Sequence, residues 1–420
     1  MKKFLIAFTI LLCSASSFSQ VYNNEWIDYN KTYYKFKVGS TGLYRIPQSV
    51  LAAAGLGSVN VQDFQLWRNG VEVPVFTSVV SGLGTMTPSD YLEFFGRMND
   101  GKEDTKLYKT DLLQMSDKWS LYTDTSAYFL TVNVAGANPV LNKRAVSALN
   151  NVAGNVLATE PYYMHTLSYA FKQTMNPGYG IYLGELVHEA AYETAEGWSS
   201  EEFSSAGTLN SDNSNLRLFS GGPLATLKVK VAGNTSTSRT VSVRINGVKV
   251  DSSSVSGFNI KRFNKTNVAL SAFTGDAFNL AINHNGSAGD HLIVSDYQLT
   301  YPKQFNFDGQ SMYYFELSDG TPKFLEIANF NYGANPVLYD TANNQRFAGV
   351  VAGGLVKFAL PAATRTRKLV LFNTDVASVK NITSITQRNF INYGLAGNQG
   401  DYMIISTPIL FNDGSGVDNV

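Results

Sequence analysis

The sequence predicts a mainly β, multi-domain protein whose antiparallel domains include a jelly-roll-like β-sandwich, with the first strand of an α/β domain at its C-terminus. Three observations predict this. Apolar and polar residues alternate through many short runs, punctuated by Asn-Gly and Gly-rich turns, which is the period-two signature of half-buried strands. The 23 Tyr and 26 Phe suit pleated, half-buried surfaces. Near the C-terminus, Tyr402-Met403-Ile404-Ile405 runs without alternation between Gly397-Asn398-Gln399-Gly400 and Pro408, as does a strand buried on both faces.

At 420 residues the chain exceeds a single core. It divides into a signal peptide (1–20), an N-terminal β-rich domain (21–160), a connecting segment (161–200), a β-sandwich (201–302), a small Ig-like β domain (303–400) and the start of the α/β domain (401–420). Lys2 and Lys3, the apolar run Phe4 to Leu12 and the small residues Ser14 to Ser19 form the secretory signal, with cleavage near Ser19 or Gln20. That run is too short to span a bilayer, and no later one is long enough. The chain is expected to be exported, to the outer-membrane surface or beyond. Cys13, the only cysteine, lies inside the signal, and Leu12 before it does not suit a lipid-attachment site. The mature chain therefore has neither disulfide nor thiol nucleophile. Zero net charge with only 16% charged residues gives no footprint for nucleic acid.

Taken in order, Tyr33 to Val38 alternates, Gly39 to Gly42 turns it, and Leu43 to Ile46 resumes until Pro47. Gln48 to Ala54 reads as a short helix with Gly55 at its C-cap. Phe64 to Arg68 and Val71 to Val75, joined at Asn69-Gly70, are the strongest hairpin signal. Asp90 to Gly96 is short and aromatic and reads as a strand. Trp119 to Tyr122 and Ala127 to Val134 supply two more. Ala145 to Tyr169 is assigned one helix. In the sandwich, Leu224 to Gly233 alternates, and Val241 to Ile245 turns at Asn246-Gly247 into Val248 to Val250. Phe278 to Ile282, Leu292 to Val294 and Tyr297 to Tyr301 follow at the spacing a sandwich produces. Met312 to Leu317, Val337 to Tyr339, Leu355 to Phe358 and Lys368 to Phe372 are strands of the last β unit.

Catalytic motifs are nearly absent, and no catalytic or cofactor-binding residue is assigned. His188-Glu189 begins like a zinc-protease helix, but position 192 is Tyr. The loop between His284 and His291, Asn285-Gly286-Ser287-Ala288-Gly289-Asp290, either carries a metal or glycan site or simply turns between two strands, the usual role of such a loop. Glu185, Glu189, Glu193 and Glu196 would form an acidic stripe on a helix, with Glu201 and Glu202 beyond; a glycosidase pair competes there with a solvated face. Asp251, Asp290 and Asp296 offer oxygen ligands for a structural Ca²⁺ at a sandwich edge. Phe258, Phe263, Phe273 and Tyr297 are available for stacking on sugars, or for the core.

Four segments, in order, resemble one family. They are Tyr34 to Val38 with Gly42 to Ile46; Asp90 to Gly96 with Asn99-Asp100-Gly101, Asp104-Thr105 and Leu107-Tyr108; Tyr182 to Glu185 through Glu196-Gly197-Trp198; and Asp401 to Ile405. Together they resemble the N-terminal half of the PorU-like sortases of the type IX secretion system, among the gingipain-type cysteine peptidases of Bacteroidetes. Ala195 stands where that family usually has Gly. The resemblance implies that residues 401–420 open a caspase-like peptidase domain. It also implies that the parent protein removes C-terminal secretion signals and transfers cargo to a surface glycolipid. The implied partners are the chain's own peptidase domain, the secretion machinery and protein cargo. The family's catalytic His and Cys lie downstream of that strand and have no counterpart here, so the chain alone is expected to be inactive. A surface glycan-binding or adhesion sandwich is the alternative expectation.

Overall fold

The computed structural model describes residues 24–134, 142–188 and 192–401. The signal segment 1–20 and the run Tyr402 to Ile405 lie outside the described residues. What is described is mainly β, in three two-sheet units. Among the described residues no helix is long and apolar enough to cross a membrane.

The first unit packs a five-stranded sheet on a four-stranded one. Tyr33–Val38 pairs antiparallel with Ser126–Val132, which pairs with Phe64–Arg68 and so with Val71–Val73. In the facing sheet Gly42–Pro47 pairs with Tyr91–Gly96, and that with Phe76–Thr77. The strand expected over Asp90 to Gly96 is present, as is the short helix, Gln48–Ala53. Asn69 and Gly70 take φ of 49° and 74°, as a type I′ hairpin turn requires. Phe36, Leu66, Phe94, Tyr128 and Leu130 meet between the sheets. On the outer face Trp26 packs within 5.4–5.7 Å of Tyr33, Trp67, Phe129 and Phe390.

Both sheets of this unit are completed from the far end of the chain. Lys380–Asn381 adds parallel to Gly42–Pro47, and Thr386–Arg388 adds antiparallel to Tyr33–Val38. Between these edges Ile382 enters the core and its N–H donates to the Arg45 carbonyl at 2.8 Å.

The second unit is the jelly-roll-like sandwich. One sheet runs Phe203–Ser204, His291–Lys303, Ala225–Gly233, Ile260–Val268; the other runs Thr208–Asn213, Phe278–Asn285, Ser238–Ile245, Val248–Ser256. Alternation decides the core. Val241, Val243 and Ile245 point inward against Leu227, Val229 and Val231, while Ser242 and Arg244 between them point outward. Each such fully buried side chain stabilises by about 1.5–3 kcal/mol. Asn246 and Gly247 take φ of 48° and 80° in the same type I′ turn.

The third unit pairs Met312–Leu317, Arg367–Phe372, Val337–Asp340 and Gln345–Ala348 in one sheet, and Lys323–Ile327, Leu355–Leu360 and Val350–Ala352 in the other. Phe307, Phe315, Phe347 and Phe358 fill its core.

Residues 145 to 169 are not helical, contrary to expectation. Val146–Ala148 adds parallel to the third unit's sheet, and Tyr163–Ala170 pairs with Asp296 to Lys303 of the sandwich. The alternation Tyr163, His165, Leu167 is a strand period, and pairing along the sandwich's longest strand satisfies its backbone. Trp119 to Tyr122 is not a strand either. It belongs to a loop held against the end of the strand Tyr163–Ala170 and the strand Gly197–Ser199: Trp119 Nε1 donates to the Ala170 carbonyl at 3.2 Å, and Trp198 Nε1 to the Ser120 carbonyl at 2.9 Å.

Candidate functional site

The sandwich-edge loop is held by a buried polar network centred on Asp290. Asp290 is fully buried. Its carboxylate accepts from Arg239 Nε at 2.8 Å and Nη2 at 2.7 Å, and from Thr235 Oγ1 at 2.6 Å. Arg239 also donates to the carbonyls of Gly257 and Thr237. Burial pushes the Asp290 carboxyl up, but the hydrogen bonds from Arg239, Thr235 and Thr237 outweigh it and hold the group well below the usual carboxylate range. His284 is buried with Nδ1 3.0 Å from Asp290 Oδ2 and Nε2 3.2 Å from the Phe203 carbonyl oxygen. His291 lies apart, its Nδ1 2.8 Å from Glu202. The two histidines flanking the loop therefore serve different partners.

The three aspartates proposed as oxygen ligands are each engaged. Asp290 is taken by Arg239. Asp296 lies 3.4 Å from Lys230 and accepts from Ser295. Asp251 accepts the N–H of Ser252. Among the described residues no group of three His, Cys, Asp or Glu side chains is placed to hold a metal ion.

The acidic run does not form a helical stripe. Gly180–Tyr182 and Leu186–His188 are a two-stranded hairpin turned at Gly184, whose φ is +90°. His188 is thus on a strand, and Glu189 lies outside the described residues. Glu193 pairs with Lys109 at 3.3 Å, Glu196 accepts the Glu193 N–H, and Glu202 pairs with His291. The carboxylates thus serve separate local contacts.

The four sandwich aromatics are all buried: Phe258, Phe263, Phe273 and Tyr297. Tyr297 exchanges hydrogen bonds with Ser211 and Asn213. These rings are core, and a sugar platform on this chain would have to use others.

Sequence reasoning gave no hint of the contact between the first and third units. Glu93, fully buried, accepts from Arg45 Nε at 2.9 Å, from Tyr339 Oη at 2.6 Å and from Arg346 Nε at 3.1 Å. Arg45 stacks 4.1 Å over Tyr91, and Arg346 stacks 4.0 Å over Phe76. Leu43, Val337, Tyr339, Val370 and Phe372 close an apolar layer around this cluster. Burial and the Glu93 charge push the Tyr339 hydroxyl well up, so it stays a donor. Beside the cluster, the two units leave between them a cleft of about 440 Å³. Its walls carry Arg68, Arg97 and Lys143 from the first unit and Arg365 and Lys368 from the third. The contributing positions are hundreds of residues apart, so no local motif announces the cleft.

No protein-family model matches the chain, and no characterised protein matches it in sequence. Among solved structures, dimeric latent PorU from Porphyromonas gingivalis is similar over 85% of this chain, with a TM-score of 0.51 and 13% identity. The chain spans about a third of that structure, 33% of its length. At this identity the likeness is one of fold. A carbohydrate-binding module, CBM36 in complex with calcium and xylotriose, is similar over 32% of this chain and 98% of its own, with a TM-score of 0.21 and 12% identity. The C-terminal domain of EclA, a sugar-binding protein, is similar over 37% of this chain and 88% of its own, at 0.16 and 16%. Both fits are too loose to carry an argument.

Proposed function

We propose that this chain is the non-catalytic β platform of a larger exported protein built like PorU. In this reading the parent is a cysteine peptidase or sortase that cleaves C-terminal secretion signals and attaches cargo to the cell surface. The chain's units scaffold the peptidase domain and contact cargo or the secretion machinery. The observation that carries the reading is the extent of the fold likeness. It covers 85% of the chain, far more than any one of the three units supplies. Two features agree with a scaffolding role. The first and third units are locked to one another by the buried Glu93 cluster, and the returning strands Lys380–Asn381 and Thr386–Arg388 complete the first unit's sheets. A cysteine peptidase also needs a thiolate, and the only cysteine here is Cys13, in the predicted signal.

The test is the size of the native protein. An antiserum raised against this chain should detect a secreted or surface species several hundred residues larger than the 46.0 kDa of this sequence. The purified chain should cleave no fluorogenic peptide, with or without a thiol reductant. A native species of 46.0 kDa or less, or reproducible cleavage by the chain alone, overturns the reading.

A further inference from the structure

The cleft between the first and third units carries cations that form no salt bridge among the described residues. Five of its lining residues are cationic: Arg68, Arg97, Lys143, Arg365 and Lys368. Of its two carboxylates only Asp340 is paired with a cation, so the five cations face one carboxylate, Glu72, that keeps its charge. Glu72 accepts the backbone N–H of Lys143 at 2.6 Å, and Asp340 is held by Arg367 at 2.6 Å and by Asn343. Arg68 is fixed by neutral acceptors, Ser126 Oγ at 3.1 Å and the Met98 carbonyl at 2.8 Å, and its charge is felt by the Asp100 carboxylate without a salt bridge between them. The Lys143 ammonium reaches only the Glu72 carbonyl, at 3.5 Å. Arg97, Arg365 and Lys368 are exposed, and among the described residues none forms a salt bridge.

Surplus charge of one sign on the walls of a low-dielectric cleft focuses the field and draws in the opposite charge. The rest of the lining decides which anion fits. Val71 and Tyr314 are exposed there, at 62% and 41%, beside Val73, Pro74 and Phe95. A ligand that fills the cleft must therefore offer apolar groups between its negative charges. A uronic or sulfated glycan offers few. A peptide with interleaved carboxylate and aliphatic side chains offers both, and a cleft of this size holds a few residues of it.

We infer that this cleft is a binding site for an extended acidic peptide, with Arg97, Arg365 and Lys368 as the charge-reading residues and Val71, Phe95 and Tyr314 as the apolar contacts. The inference stands on the cleft's chemistry and holds whether or not the parent is a peptidase.

The experiment uses the whole chain and a fluorescein-labelled peptide of alternating Glu and Val, with the Lys/Val peptide as its counterpart. Anisotropy should show saturable binding of the acidic peptide only, weakening as ionic strength rises. Replacing Arg365→Gln together with Lys368→Gln should weaken binding by about tenfold or more. The same charge change on the sandwich, Lys249→Gln with Lys265→Gln, should leave it unchanged. Arg97→Gln, a single exposed change that breaks no side-chain hydrogen bond, should weaken it by roughly threefold. The inference is overturned by any of three results: no saturable binding, equal loss in both double variants, or displacement by polygalacturonate or inorganic phosphate as effective as that by unlabelled acidic peptide.

Discussion

The sandwich and the first unit are both two-sheet β units of similar size, but they are assembled in opposite ways. The sandwich takes its eight principal strands from one continuous stretch, residues 203–303, and borrows one flanking strand, Tyr163–Ala170. The first unit takes the rest of its strands from residues 33–132 but one edge strand of each sheet from 380–388. The sandwich keeps its fully buried ion pair, Arg239 with Asp290, within itself, and only Lys303 at the end of its longest strand reaches beyond it, to Asp308. The first unit shares its buried charge, Glu93, with Tyr339 and Arg346 of the third unit. A sandwich built this way can hold its own structure, whereas the first unit depends on the chain returning. Substitutions in the two places should therefore differ in how far their effects spread.

The largest effect is expected at Asp290. Asp290→Ala strands the buried Arg239 guanidinium, which costs about 3–5 kcal/mol, because the charge cannot regain water. Hydrogen exchange should rise across the sandwich strands and hardly at all in the first unit. A loss below about 1 kcal/mol would mean that the network relaxes or is hydrated, and that the sandwich is not self-contained in this sense. Next comes Ile382→Ala, at about 3 kcal/mol. Although Ile382 follows the third unit in sequence, its loss should raise exchange in Tyr33–Val38, Gly42–Pro47 and Tyr91–Gly96. Exchange confined to the third unit instead would show that the returning segment is not part of the first unit's stability. Glu93→Gln should cost about 2 kcal/mol, less than Asp290→Ala because Arg45 and Arg346 keep side-chain exposures of 19% and 13%. Its signature is joint: protection should fall in Tyr91–Gly96 and in Val337–Asp340 together.

The same contrast explains which parts of the fold could be read from the sequence. Ala225–Gly233 and the hairpin at Asn246-Gly247 were legible because alternation and turn chemistry are local and agree with each other. Lys380–Asn381 and Thr386–Arg388 were not. Strands of two and three residues carry no period, and only the partner strand makes them strands. Tyr163–Ala170 does carry a strand period, in Tyr163, His165 and Leu167, although a helix was expected there. The acidic run's interval of four makes a helical face only if the backbone is helical, and here Gly184 turns a hairpin instead. The aromatic residues of the sandwich were legible as core. The cleft was illegible for the plainest reason: its five cations come from positions 68, 97, 143, 365 and 368, and only tertiary packing makes them neighbours.

The smallest effect tests where the borrowed strand Tyr163–Ala170 meets both the sandwich and the third unit. His165 sits there against Tyr301 and Tyr313, with ring centroids 5.6 and 5.9 Å away. Burial first, and then the nearby Lys303 charge, push the imidazole down from its ordinary 6.5 to about 4, while Asp308 opposes them weakly. The folded state thus holds the neutral ring in a range where the unfolded chain is already protonated. Its stabilising contribution is complete above pH 6.5 and declines as pH falls towards 4. Carboxylates titrate in the lower part of the same window, so the wild type alone cannot isolate the effect. His165→Phe keeps an aromatic ring beside Tyr301 and Tyr313 and removes the proton. Urea unfolding at pH 7 and pH 5.5 should therefore show the wild type losing about 1 kcal/mol more than the variant. An equal loss in both would place His165 in water. The borrowed strand would then be a loose edge of the sandwich rather than the seam that joins it to the third unit.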